Sequence, residues 1–370
     1  MQTRRDWLRS SLGIGGLLLA PTSMLSAQEK IDFQPRNLES IIRLSSNENP
    51  YGPSNLVQER IKKSFVHGCR YPYAYSDDLV EQLAKKHGVS PEAIIITGGS
   101  TEGLRITGLT FASNGGEIIS GQPTFLAMMT YAEQWGATIN WVPVGEDKGY
   151  DLDEMEKRIS SKTKLIFLCN PNNPTGTLIP AKRLVDFCDS AIKKAIVFSD
   201  EAYYDYIETP NYPSMIEAVK RGENVIVSKT FSKVYGMAGL RVGYLIAKPE
   251  IAAKIRKNVV AMSNVLAVEA AKEALQDEAF YQFSLEKNRE SKKRIYKLLD
   301  HLNLTYVESH TNFIFFHAKK DIRELGPAML ARGVRIGRPF PPFYDWCRIS
   351  SGTLEEVDFF IKGMLEIYEA

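Results

Sequence analysis

Several things are scarce in this chain of 370 residues, and each scarcity removes a class of protein. No run of lysine and arginine occurs beyond the first ten residues and the net charge is only +2, so nothing favours a nucleic-acid partner. The four cysteines, Cys69, Cys169, Cys188 and Cys347, lack metal-ligand spacing and are expected to remain free, buried thiols. No apolar stretch is long enough to span a bilayer. Repeats and low-complexity segments are absent. What is present is ordinary globular composition, 24% charged and 44% hydrophobic, in a length that suits one large domain and a smaller one.

The first residues read differently. Arg4 and Arg5 precede a Gly-rich apolar stretch from Ser11 to Ala20, the pattern of a secretory signal peptide over residues 1–27 with cleavage near Ala27. The arginine pair resembles a twin-arginine signal. That resemblance implies transient engagement of the twin-arginine export machinery and a periplasmic address. This route carries folded proteins, so the thiols would be enclosed before meeting an oxidising compartment.

Beyond the leader, residues 28–75 are rich in Pro, Asn and Tyr and read as an N-terminal arm. Seven short apolar runs follow, at 93–97, 117–120, 139–144, 164–169, 195–200, 224–229 and 242–247, with helix-length amphipathic stretches between them, among them 76–87, 101–112, 124–136 and 181–194. Runs apolar on both faces suit strands covered by helices on each side. The alternation predicts an α/β domain over 76–260, with a seven-stranded, mostly parallel sheet. From 261 to 370 the pattern changes to long helices (265–301, 321–332, 354–368) around short strands at 304–309, 313–317, 334–337 and 347–350. That predicts a second, smaller α+β domain.

Ligands of parallel α/β sheets sit beyond the carboxyl ends of the strands, and the unusual residues collect there. "GGSTEGL" (98–104) is a glycine turn entering a helix, whose Ser100 and Thr101 N–H groups suit an anion. "NPNNPTG" (170–176) cannot continue a strand and offers the Asn173 amide. "AIVFSDEAYYDY" ends its strand on Asp200, a carboxylate that needs a cationic partner if buried, and adds Tyr203. "SKTFSKVYGMAGLRVGY" (228–244) sets Lys233 among turn residues and Arg241 eight positions on. An anion cradle, an amide, a carboxylate, a phenol, a lysine and an arginine together suit pyridoxal 5′-phosphate. A lysine forms a Schiff base with its aldehyde, and a carboxylate keeps its pyridine nitrogen protonated.

Residues 38–368 resemble the class I/II aminotransferases, pyridoxal-phosphate enzymes of fold type I, and most of all the histidinol-phosphate aminotransferase family. The resemblance rests on an ordered set: "LSSNENPYGPS", "RYPY", "GGSTEG", "PTF", "NPNNPTG", "DEAY", "TFSKVYGMAGLRVG", "TNF" and "CRISSGT". It implies that Lys233 bonds the cofactor and later carries a proton, while Asp200 pairs with the ring nitrogen. By the same resemblance Asn173 and Tyr203 bond the ring's phenolic oxygen, and Phe125, often tyrosine in the family, stacks on the ring. Ser100, Thr101, Ser232 and Arg241 would hold the phosphate, with Tyr71 reaching it from the partner subunit of a homodimer. Arg348 would take the substrate's carboxylate or phosphate, with Asn47 also at the substrate. A second anion-reading arginine is either Arg335 or Arg338; Arg338 is preferred, because Gly337 and Pro339 would let it turn into the cleft.

The resulting expectation is an exported aminotransferase that passes an amino group from an amino acid, or an amine like histidinol phosphate, to a 2-oxo acid. A lyase or decarboxylase on the same scaffold is the nearest rival, since bond choice depends on how the substrate sits over the ring. A non-catalytic periplasmic binding protein would need neither Lys233 nor Asp200.

Overall fold

The computed structural model describes residues 41–369, so the signal-peptide reading and the first part of the arm lie outside the described residues. The first described strand, β1 (Ile42–Arg43), is followed by the seven that the apolar runs announce. These are β2 (Ile94–Thr97), β3 (Glu117–Gln122), β4 (Thr138–Pro143), β5 (Thr163–Cys169), β6 (Ile196–Asp200), β7 (Val225–Thr230) and β8 (Gly243–Ala247). They form one sheet in the order β2-β8-β7-β6-β5-β3-β4. β8 runs antiparallel to both its neighbours, and every other adjacent pair is parallel.

Alternation along the central strands explains why they read as continuous apolar runs. Leu165 and Phe167 of β5 enter the core on one face of the sheet, and Ile166 and Leu168 enter the core on the other. Both faces are therefore dry, and polar groups are left to the strand ends.

A separate core gathers the C-terminal strands β9 (Phe313–His317), β10 (Val334–Arg335) and β11 (Trp346–Ser350) with the helices Ile322–Leu330 and Leu354–Tyr368. β9 pairs antiparallel with β11, and β10 pairs parallel with β1. The last helix starts with a reciprocal cap, Thr353 bonding the Glu356 N–H and Glu356 bonding back.

Several boundaries differ from the sequence reading. The strand expected at 304–309 shrinks to one bridge, Tyr306 with Phe316. Beyond it the Ser309 and Thr311 hydroxyls both donate to the Phe313 carbonyl and curl the chain. The helix expected over 265–301 is two, Val265–Ala274 and Glu278–His301, because Asp277 accepts from the Phe280 N–H and starts a new helix. The helix expected over 124–136 is only Ala127–Glu133.

The two halves are joined through shared elements. Val265–Ala274, read with the second domain, buries Ala267, Val268 and Ala271 in the first core. The next helix packs Tyr281 and Leu285 against the first core and Ile295, Leu298 and Leu299 into the second. The N-terminal segment does likewise, with Leu44 in the second core and Val57 in the first. All four cysteines are free, but Cys69 is exposed, contrary to the expectation that every thiol is enclosed. It follows a short 3₁₀ turn, Phe65–His67, whose residues are all outside the core.

Candidate active site

Four parallel strand ends converge on one edge of the sheet. β5 delivers Asn170–Asn173, β6 ends on Asp200, β7 leads to Ser232 and Lys233, and β2 leads to Gly99 and the helix Ser100–Ala112. Arg241 arrives by another route than the sequence suggests. It precedes its strand, and because β8 runs antiparallel, the start of that strand lies on the same edge. A cavity of about 590 Å³ opens there. Every predicted site residue lines it except Tyr71.

Lys233 donates from Nζ to the Asn47 carbonyl at 2.9 Å. Withdrawal from water, helped by the charge of Arg348, lowers its pKa to about 8. Asp200 is buried, and its Oδ1 has no hydrogen-bond partner. Burial pushes its carboxyl up to about 7, against the backbone N–H of Ala202 and the nearby Lys233, which lower it. The Tyr203 hydroxyl accepts from Asn47 Nδ2 at 3.0 Å and from Asn173 Nδ2 at 3.4 Å. Burial raises its pKa, so it stays a phenol.

Arg348 is buried on the opposite wall. Its Nη1 donates to Asn173 Oδ1 at 2.7 Å, Nη2 donates to the Ser45 carbonyl, and Nε has no partner. Desolvation lowers its pKa to about 10. No carboxylate pairs with it among the described residues. Arg335 and Arg338 both line the same cavity, which does not separate the sequence's two alternatives. Arg338 lies over the Phe340 ring at 4.3 Å and donates to the Pro339 carbonyl.

The phosphate cradle is built from small residues. No side chain caps the helix Ser100–Ala112 at Gly99, which sits at φ 83°. A Cβ on Gly99 would lie 2.4 Å from Arg241 Nη2, and one on Gly243 would lie 2.7 Å from the Ser100 nitrogen. Side chains there would fill the space that the helix N-terminus and Arg241 leave for an anion.

Asn47 does more than the resemblance implies. In the left-handed region at φ 54°, it exchanges bonds with Ser350, its N–H and Oδ1 both meeting Ser350 Oγ. Its carbonyl also accepts from Asn312 Nδ2. It thus positions Tyr203 and Lys233 from within the protein. Sequence reasoning missed Ser350, Asn312 and Thr124, which bonds Asn172 and so steadies the loop of Asn173. They lie inside motifs the sequence reading quotes, "CRISSGT", "TNF" and "PTF", but nothing local shows which hydroxyl or amide turns inward. Of the aromatic residues near the C-terminal strands only Phe340 reaches the cavity; Phe343 and Trp346 pack on Phe315.

A buried carboxylate with one oxygen unpartnered, a buried guanidinium without a carboxylate and an open cradle are costly in isolation. They fit pyridoxal 5′-phosphate, whose ring nitrogen, phenolic oxygen and phosphate match Asp200, the Asn173–Tyr203 pair and the cradle.

Comparison with known proteins agrees. Residues 39–363 match the family described as aminotransferase class I and II. A histidinol-phosphate aminotransferase of Moorella thermoacetica is 38% identical over 339 residues, covering 89% of this chain and 86% of its own. One from Halalkalibacterium halodurans is 34% identical over 333 residues, covering 89% and 90%. The crystal structure of histidinol-phosphate aminotransferase from Sinorhizobium meliloti, in complex with pyridoxal-5′-phosphate, superposes with a TM-score of 0.82 at 27% identity over 89% of this chain and 91% of that one.

Proposed function

Since the chain belongs to the class I and II aminotransferases, we propose that its amino donor is seated by Arg348 and sorted by Arg338, and that it works after export. The fold is that of fold type I and the reaction is pyridoxal-phosphate-dependent amino transfer. When bound, the cofactor supplies an electron-accepting ring that eases removal of the proton from the donor's α-carbon. Asp200 holds a proton on the ring nitrogen. Tyr203 and Asn173 orient the ring through its phenolic oxygen, and Phe125 covers its face. Ser100, Thr101, Ser232 and Arg241 bind the phosphate. Lys233 takes the proton from the α-carbon at Nζ, and its lowered pKa of about 8 leaves a usable share of neutral amine near neutral pH.

The observation that carries the donor reading is Arg348: a buried guanidinium lining the cavity with an Nε that meets nothing. A carboxylate or phosphate on the donor would satisfy it, and a charge-assisted contact of this kind contributes roughly 1.5–3 kcal/mol. Arg348→Ala is therefore expected to lower kcat/KM about ten- to a hundredfold for every donor. Lysine should restore little, lacking the planar fork. Arg338, exposed at the rim, should read a distal anion. Its removal should weaken acidic and phosphorylated donors and spare aromatic ones. Kinetics with an aromatic amino acid, an acidic one and histidinol phosphate, scored by release of the oxo acid or, for histidinol phosphate, of the ketone phosphate, separate these outcomes. Equal losses for all three in both variants would end the division of labour. A wide preference for histidinol phosphate would assign this chain the donor named by its relatives.

Two further parts of the reading concern assembly and address. Tyr71 is 81% exposed and touches only Tyr73 among the rings. Phe65 and Val66 nearby are exposed as well. These support a homodimer in which Tyr71 reaches the phosphate of the other copy, and an active monomer in sedimentation would remove it. Export rests on Arg4 and Arg5 ahead of the Gly-rich apolar stretch. Replacing both by lysine should strand cofactor-loaded protein in the cytoplasm; undiminished export in cell fractions would show that another route is used.

A further inference from the structure

A second cavity, of about 670 Å³, shares no lining residue with the catalytic one. It opens where the helix Glu278–His301 passes from one core to the other, and the segment Glu308–His310 and the loop at Glu208 form the facing wall. Arg289, Lys292, Lys293 and Lys297 line it from the helix. Their spacing puts them on one face, where like charges destabilise a helix unless something answers them.

Lys292 is the telling residue. Three lysines in the described chain are buried, each 8% exposed. Lys229 pairs with Glu201 at 2.8 Å, and Lys272 pairs with Glu269. Lys292 has no carboxylate within ion-pair distance; its single bond goes to the Ser309 carbonyl at 2.7 Å. An ammonium has three donors, so two are left in a site where desolvation already lowers its pKa. Arg289, Lys293 and Lys297 form no ion pair among the described residues either. Glu208 and Glu308 on the facing wall are likewise without a hydrogen-bonded cation, and Asp300 is occupied by the Tyr306 hydroxyl.

We propose that this cavity binds a small phosphate monoester that also carries hydroxyl or ammonium donors. The phosphate takes the cationic row, and the donors take Glu208 and Glu308. Four cations on one wall suit a doubly charged group, and the two carboxylates opposite disfavour a bare anion. The volume suits a small metabolite. One backbone bond links the two sites: the His310 N–H donates to the Gly176 carbonyl at 3.0 Å, at the end of the loop that carries Asn173. Through that link occupancy would shift Asn173, which holds Arg348 Nη1, and so regulate donor binding.

Calorimetry of the cofactor-loaded enzyme with glycerol 3-phosphate tests the proposal, because this probe has no amine to transfer. One site is expected, weakened about tenfold or more by Lys293→Gln with Lys297→Gln, two exposed positions that leave the fold intact. Lys292→Met should do the same if it folds; the exposed pair decides the matter if it does not. Arg338→Ala should leave this binding unchanged. The probe should shift the donor's KM more in the wild type than in the double variant, where only competition at Arg348 remains. No binding at millimolar probe, equal binding by the double variant, or loss of binding in Arg338→Ala would overturn the site. Binding with an unchanged KM would overturn its regulatory role.

Discussion

Replacing Lys233 by alanine is expected to abolish amino transfer and the visible absorption that covalently held cofactor gives the purified protein. The amine is the only lysine nitrogen lining the cavity, and nothing else there offers an uncharged base at its height over Tyr203, whose ring centre lies 5.3 Å from Nζ. Loss of proton transfer alone costs roughly 10²–10⁴-fold in rate, and loss of the covalent anchor adds to it. Protein should still fold, since removing Nζ frees only the Asn47 carbonyl, which Asn312 also satisfies. Absorption spectra and single-turnover assays of the variant check this. A variant that retains the band and normal turnover would move the chemistry to another residue.

Asp200→Asn is expected to act in opposite directions on the empty and the loaded protein. In the loaded enzyme it removes the charge that keeps the ring nitrogen protonated. Breaking a buried ion pair costs about 3–5 kcal/mol, so turnover should fall on the order of a hundred- to several-thousandfold. In the cofactor-free protein the same change should stabilise the fold. Asp200 has a folded pKa raised from 3.8 to about 7, so its proton is held more tightly folded than unfolded. The penalty for its ionisation is absent below pH about 4, grows as pH rises through the interval, and is complete above about 7. It amounts to a few kcal/mol. The melting temperature of cofactor-free Asp200→Asn should therefore match the wild type near pH 4 and exceed it at pH 8. A variant less stable than the wild type at pH 8 would mean that the Ala202 N–H, Ser228 and Lys233 outweigh the burial of the carboxylate.

Much of this was legible because strand and chemistry share residues. β6 is both an apolar run and the carrier of Asp200, and β7 both a run and the approach to Lys233, so the reading that found the strands also found residues that line one cavity. The family's ordered motifs then supplied roles that spacing cannot. Illegible parts depend on contacts between distant segments. Asn47 meets Ser350 across 303 positions, and nothing near either residue announces the other. The direction of β8, which brings Arg241 to the catalytic edge, is set by sheet pairing rather than by its own sequence. The break at 275–277 turned on one aspartate cap, inside a stretch whose composition favours helix throughout.

The helix Glu278–His301 belongs to both cores, and the segment around Leu44 and Val57 crosses between them in the other direction. Such a molecule has two interiors but no seam. A graft that exchanged the C-terminal third for that of a relative at residue 260 would replace Ala267, Val268 and Ala271 and would have to fit the first core as well as the second. An exchange that keeps both interiors whole has to take the arm with it. The C-terminal arginines can change one at a time, whereas exchange of the whole C-terminal third has to preserve its contacts with the first core.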